Sequence, residues 1–181
     1  MNTAVADPLP RFGSGFALRR LNVSDLPVFQ SYRSDPELRR YQGWSVMPDA
    51  EARAFLDEMN TAPLFRPGHW AQVGIAEPRG LALLGDIGLF LAEDSRHAEI
   101  GFTLSRSAQG RGLATAAVQE AVRLILESTT VHQVLGITDA QNHASVRLLE
   151  RAGMRRQEER NAVFRGEPCI EYVYSLARDD G

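Results

Sequence analysis

The chain of 181 residues is 44% hydrophobic and 24% charged, enough apolar residue to bury one core. A net charge of −3 with acids and bases interspersed argues against a nucleic-acid groove or a polybasic membrane anchor, and mildly favours a cationic substrate. Cys169 is the sole cysteine, which excludes an internal disulfide; His69, His97, His132 and His143 are scattered without zinc spacing, so no metal is expected; and without a basic, then apolar leader a reducing cytoplasm is the expected home.

In chain order, residues 1–15 hold Pro8, Pro10, Gly13 and Gly15 with few large apolar side chains, and are expected to form a mobile or loosely docked arm. A single domain over 16–177 and a short tail over 178–181 complete the expected organisation. Residues 16–21 read as a strand, Ser24-Asp25 as a helix cap before Leu26, Phe29 and Tyr32, and Asp35-Pro36 as the start of a helical turn carrying Leu38. Tyr41-Gln42-Gly43-Trp44 is a loop rich in large rings. Residues 48–59 read as a helix burying Ala52, Phe55, Leu56 and Met59 behind an acidic outer face. Residues 70–76 and 83–91 read as a hairpin, with Gly85 and Gly88 marking bulges or close backbone approach.

The chain is organised around its central stretch. From His97 to Leu104 apolar and polar residues alternate, so Ile100, Phe102 and Leu104 share one strand face and Glu99, Gly101 and Thr103 the other. A glycine turn then leads into an uninterrupted amphipathic helix over 113–128, with Val118, Val122 and Ile125 on its stripe. Residues 131–138 supply the next strand, which makes a right-handed strand–helix–strand unit. A helix over 142–152, closed by Gly153, and strands over 162–164 and 170–176 around Gly166 finish the chain. Gly110 and Gly112 turn the main chain sharply and expose successive N–H groups at the positive end of a helix, which suits a diphosphate; an ordinary helix entry using glycine for geometry alone fits the same spacing. A P-loop is disfavoured because no Gly-Lys-Ser/Thr follows, and a dinucleotide fingerprint because Thr115 stands where a third glycine belongs.

Gln109-Gly110-Arg111-Gly112-Leu113-Ala114 resembles the acyl-CoA pyrophosphate loop of the GNAT superfamily of N-acyltransferases, Gln/Arg-x-x-Gly-x-Gly/Ala, with Gln109, Gly112 and Ala114 at its defined positions. Downstream, the segment from Asn142 through Ser145, Leu148 and Gly153 to Met154 resembles the later Asn-x-x-Ser-x-x-Leu-x-x-x-x-Gly-Phe motif. The similarity runs from Ala17 to Leu176, in the style of the RimJ/RimL-type branch, which includes ribosomal-protein N-terminal acetyltransferases.

The resemblance implies an α/β (α+β) fold: a mixed, mostly antiparallel sheet flanked by helices, with a central parallel strand–helix–strand unit. It implies acetyl-CoA as donor, no metal, and transfer of the acetyl group to a primary amine by direct attack. The acceptor would be a protein N-terminal amine, or else a small amine, amino acid or antibiotic; the assembly would be a monomer or homodimer, without nucleic-acid or membrane partner. In the resembled family the pantetheine arm pairs like an extra strand with the strand that here carries Phe102, Thr103 and Leu104, and a backbone N–H there polarises the thioester carbonyl. Main-chain donors from Gln109, Gly110, Arg111, Gly112, Leu113 and Ala114 would hold the pyrophosphate, with Arg111 adding charge. Asn142 would bond the pantetheine, Ser145 would stand near the thiol as proton donor, and Tyr41 and Trp44 would wall the acceptor pocket. Glu99 is the first candidate for the base, Asp86 the second and His97 the third. One departure matters: a tyrosine acid common in the superfamily is replaced by Leu148 and Leu149. That leaves Ser145 or solvent for the acid step, and keeps open a catalytically silent acyl-CoA-binding module.

Overall fold

The period-two runs do form strands. The computed structural model describes residues 6–178. In chain order it contains β1 (Arg11–Gly13), β2 (Phe16–Arg20), α1 (Leu26–Arg33), α2 (Asp49–Thr61), β3 (Trp70–Ala76), β4 (Leu83–Leu91), β5 (His97–Leu104), α3 (Leu113–Ser128), β6 (Gln133–Asp139), α4 (His143–Arg151), β7 (Arg155–Phe164) and β8 (Glu167–Ala177). The strands build one eight-stranded sheet in the order β1-β2-β3-β4-β5-β6-β8-β7. Every neighbouring pair is antiparallel except β5 and β6, which α3 connects in parallel.

Each sheet face has its own helical cover. Ala117, Val118, Ala121, Leu124 and Ile125 of α3 share a buried cluster with Ile87, Leu89, Ile100 and Leu104 of the sheet, and Leu149 brings α4 to the same cluster. Leu26, Phe29, Tyr32, Ala52, Leu56 and Met59 of α1 and α2 form a second cluster with Leu21 and Leu83. Two glycines mark tight contacts: a Cβ at Gly136 would lie 2.6 Å from Leu149, so α4 packs directly against β6, and one at Gly85 would lie 2.2 Å from the Thr103 carbonyl.

Three local expectations change. Residues 11–13 belong to the sheet rather than to a loose arm, because Arg11 is tied to Glu120 and Glu127 of α3 at 2.5 and 2.7 Å and Leu9 is buried beside them; residues 1–5 lie outside the described region. Asn22, not Ser24, caps the first helical segment, with its side chain accepting from the Ser24 N–H and Asp25 answering to the Asn22 N–H. The helical turn expected at Asp35-Pro36 is present, the Asp35 carbonyl accepting from the Arg39 N–H at 3.0 Å. The last hairpin is far longer than 162–164 and 170–176, since β7 begins at Arg155 and is exposed through Arg160. Of the expected tail, Arg178 is fastened by bonds to the Leu126, Thr129 and Val131 carbonyls, and 179–181 lie outside the described region.

The sheet splits at its centre. β5 and β6 pair only from His97 with Gln133 to Ile100 with Gly136, whereas β5 continues along β4 to Leu104 and β6 along β8 to Asp139. Beyond Ile100 the two strands diverge, and one edge of β5 is open.

Candidate functional site

Strand alternation decides which peptide groups meet this opening. The Ser105 N–H donates to the Leu84 carbonyl and the His97 carbonyl accepts from the Ala92 N–H, so odd-numbered residues of β5 bond to β4. Phe102 and Leu104 therefore direct their peptide groups into the fork. Thr103 does not: its peptide is committed to Asp86 of β4, and its buried side chain lies on the opposite sheet face, which corrects its assignment to a donor-binding edge. Both fork carbonyls already have side-chain partners, Phe102 accepting from Gln42 Nε2 at 3.2 Å and Leu104 from Gln109 Nε2 at 3.0 Å. What the open edge offers is two N–H donors.

At the carboxyl end of β5 the chain makes a short 3-10 turn, Arg106–Ala108, and enters α3 through Gly112. Gly110 and Gly112 have φ of +77° and +73°, and a Cβ on either would meet nothing within 4 Å. Glycine is thus required here by backbone conformation rather than by crowding. The first bond of α3 runs from the Ala116 N–H to the Gly112 carbonyl, no side chain caps the helix, and the preceding N–H groups stand at the positive end of a sixteen-residue dipole. Arg111 is exposed beside them. Gln109 has a different part: its side chain braces the turn against the Leu104 carbonyl, and its N–H is bonded to the Arg106 carbonyl at 3.2 Å, so the free donors begin after it. This cradle fits a diphosphate.

Across the fork, Asn142 caps α4, Oδ1 accepting from the Ser145 N–H at 3.2 Å, and its Nδ2 has no partner among the described residues. A narrow cleft lies between the diverging strands, lined by Gly101 and Phe102 of β5, Thr138 of β6, Asn142 and Ser145 of α4, and Tyr41 from the distant α1–α2 loop. Tyr41, Phe102, Asn142 and Ser145, picked from separate stretches of sequence, meet here. Trp44 does not line the cleft; its ring lies 4.4 Å from the guanidinium carbon of Arg33. Two residues escaped the sequence reading. Gln42 donates to the Phe102 carbonyl of β5, and Arg165 in the β7–β8 turn directs Nη2 at the carbonyls of Gln42 (3.0 Å), Trp44 (3.3 Å) and Arg39 (3.5 Å), clamping the loop over the cleft. The aromatic loop signalled the first, and no sequence signal marks the second.

Glu99 lies on the face opposite α3, between Phe90 of β4 and Leu135 of β6 in the strand registers. It makes no hydrogen bond or ion pair with any described residue, and burial raises its carboxyl above the ordinary glutamate value, with His97 and Arg160 opposing. A carboxyl between apolar neighbours, without a fixed donor, is suited to accepting a proton. Asp86 is not. It is 1% exposed and accepts from Tyr32 Oη at 2.5 Å, Arg33 at 3.0 Å and Gln72 Nε2 at 3.0 Å, so its lone pairs are spent on structure. Burial, and then the Asp86 charge, push the Tyr32 hydroxyl well above the usual tyrosine range. His97 begins β5 two residues from Glu99 and shares its face.

A sequence profile of the acetyltransferase (GNAT) domain matches residues 16–155, most of the chain. The chain belongs to the GNAT acetyltransferases. The uncharacterized N-acetyltransferase p20 of Bacillus licheniformis is 26% identical over 168 residues, covering 89% of this chain and 92% of that protein. Among solved structures, a GNAT-family acetyltransferase from Bacillus anthracis superposes with a TM-score of 0.82 at 19% identity, over 93% and 98% of the two chains. RimL, a ribosomal L7/L12 α-N-protein acetyltransferase solved with coenzyme A, superposes with a TM-score of 0.77 at 15% identity, over 94% and 98%. At these identities the two structures share the GNAT fold with this chain. The mostly antiparallel sheet with one parallel pair is that fold. Among the described residues no helix is long and apolar enough to cross a membrane.

Proposed function

We propose that this GNAT protein is an acetyl-CoA-dependent N-acetyltransferase of the RimJ/RimL type whose acceptor is a protein N-terminal amine. The observation that carries the reading is the alignment of donors: the Phe102 and Leu104 N–H groups in the fork run on into the free N–H groups at the start of α3. That spacing serves a ligand with an amide-bearing arm and a diphosphate, which acetyl-CoA combines. RimL shares the fold and acts, as its name states, on an α-amine.

In the proposed reaction the acceptor nitrogen attacks the thioester carbonyl directly, the Phe102 N–H stabilises the developing oxyanion, and the carbon–sulfur bond then breaks. The neutral amine attacks, Glu99 takes a proton from its nitrogen as the carbon–nitrogen bond forms, and Ser145 gives a proton to the departing thiolate and regains one from solvent, so charge balances without a metal or covalent enzyme intermediate. An α-amine has a pKa near ~8, so a weak base suffices near neutrality. Asn142 Nδ2 holds the pantetheine arm, and Arg111 adds positive charge beside the diphosphate.

The test is thermal stabilisation followed by CoA release. Acetyl-CoA at a hundredfold excess over its Kd should stabilise the fold by about 2.7 kcal/mol, a shift of several degrees, while ATP and NAD should not. Release of CoA with an unblocked peptide but not with its acetylated form supports the reading; stabilisation with no turnover on any amine leaves a binding module. Gly112→Glu should abolish the acetyl-CoA shift by placing bulk and negative charge against the diphosphate, and an unchanged shift in folded variant protein would sink the assignment of the loop.

A further inference from the structure

We propose that the rings of Trp70 and Phe90 wall an acceptor subsite beside Glu99, and that this subsite takes a primary amine with an apolar flank and no adjacent carboxylate; the proposal rests on the acetyl-transfer reading. Strand registers place Trp70 opposite Phe90 and Phe90 opposite Glu99, so three side chains form one row across β3, β4 and β5 on the face away from α3. In the next row Gln72 stands opposite Gly88 and Gly88 opposite Gly101. The indole leans into that second row: a Cβ at Gly88 would lie 3.0 Å from its Cε3 and Cζ3 atoms. A Cβ at Gly101 would meet nothing, and Gly101 also lines the fork cleft. On this reading Gly101 is the open floor of a trough from the free edge of β5 toward Glu99, with Gln72 and the indole covering Gly88 and the Trp70 and Phe90 rings as its wall on the β4 side.

The wall is not core. Trp70 is 47% exposed and its ring neighbour is Phe90, with centroids 5.3 Å apart and planes tilted by 34°. Of the basic groups near Glu99, Arg33 is paired with Asp86 and Arg160 with Glu171 at 3.0 Å each, and His97 shares the Glu99 face. The commitment of both arginines sets the chemistry. An ammonium in the trough meets ring faces and one carboxylate, both attractive. A carboxylate carried next to that ammonium meets the same ring faces and Glu99 with no unpaired arginine beside it, and is repelled. Peptide-like and alkyl amines fit, whereas free amino acids do not.

Leucinamide and leucine form the matched pair for the test, since they differ in one carboxylate. CoA release should show a KM for leucinamide at least about tenfold below that for leucine, and Trp70→Ala should raise the leucinamide KM about tenfold with acetyl-CoA affinity unchanged and Trp70→Phe recovering most of the loss. Equal use of both compounds, or an unchanged KM in Trp70→Ala, overturns the proposal. A second arm needs no turnover: in a Trp44→Phe protein Trp70 is the one remaining tryptophan, and leucinamide, but not leucine, should change its emission saturably when acetyl-CoA is present. That change without CoA release from any amine would uphold the subsite and refute the transfer reading; no change and no release would remove both.

Discussion

Glu99 shows how a single carboxyl is tuned by its strand neighbours. It sits between Phe90 and Leu135, and burial raises its folded pKa above that of an unfolded glutamate. A raised carboxyl pKa means that the folded state favours the protonated form, so the charge opposes folding above the folded pKa, and this penalty disappears as pH falls below the unfolded value. Glu99→Gln should therefore raise the melting temperature near pH 7 and leave it unchanged near pH 3. The same variant should remove the acidic limb of the pH profile of acetyl transfer, a limb that in the parent protein lies above the ordinary glutamate range. A retained limb would assign the base elsewhere. Alternation alone put Glu99 on the correct face, but its isolation was not legible, because Phe90 and Leu135 become its neighbours only through the sheet register. Gln109 teaches the converse: the motif pointed to it, while its side chain serves the Leu104 carbonyl and its N–H the Arg106 carbonyl, so it shapes the turn that the free donors follow.

Among the elements, the α1–α2 loop is clamped in part by a side chain from the opposite end of the chain. Arg165 has φ of +52° in its hairpin turn and reaches carbonyls 121, 123 and 126 residues away. Arg165→Ala should free residues 39–44, so that trypsin cuts after Arg39 or Arg40 sooner than in the parent, and the acceptor KM should rise with little change in acetyl-CoA affinity. Uniform loss of kcat with an unchanged cleavage pattern would count against a clamp. No local pattern announces such a contact. β7 was underestimated for a related reason: Arg155 to Arg160 are polar on both faces, and at the outer edge of a sheet neither face needs to be buried, so the alternation that reveals strands is missing. The strands and helix of the β5–α3–β6 unit were legible because burial demands periodicity there.

For the molecule as a whole, a buried polar staple fastens α1, and with it the second hydrophobic cluster, to the central strand β4. Asp86 of β4 holds Tyr32 and Arg33 of α1, and Arg33 in turn lies between the rings of Phe29 and Trp44, at 4.7 and 4.4 Å. Removing one partner of such a pair leaves a buried charge without compensation. Asp86→Ala should cost about 3–5 kcal/mol, read from the urea midpoint, and should loosen the acceptor loop through Trp44. A loss under about 1 kcal/mol would mean that α1 is held by its apolar contacts alone.

The fork has a consequence for solubility as well. A strand that stops pairing halfway along leaves hydrogen-bonding groups unclaimed, and an unclaimed strand border can recruit a strand from another molecule. Gln42 and Gln109 already occupy the two carbonyls on that border, so an invading strand would find donors but no free acceptors. Replacing both glutamines with alanine should make the ligand-free protein self-associate in light scattering at high concentration, and acetyl-CoA should suppress it by filling the same border. These amide side chains would then act as gatekeepers, keeping a binding groove from becoming a seed for aggregation.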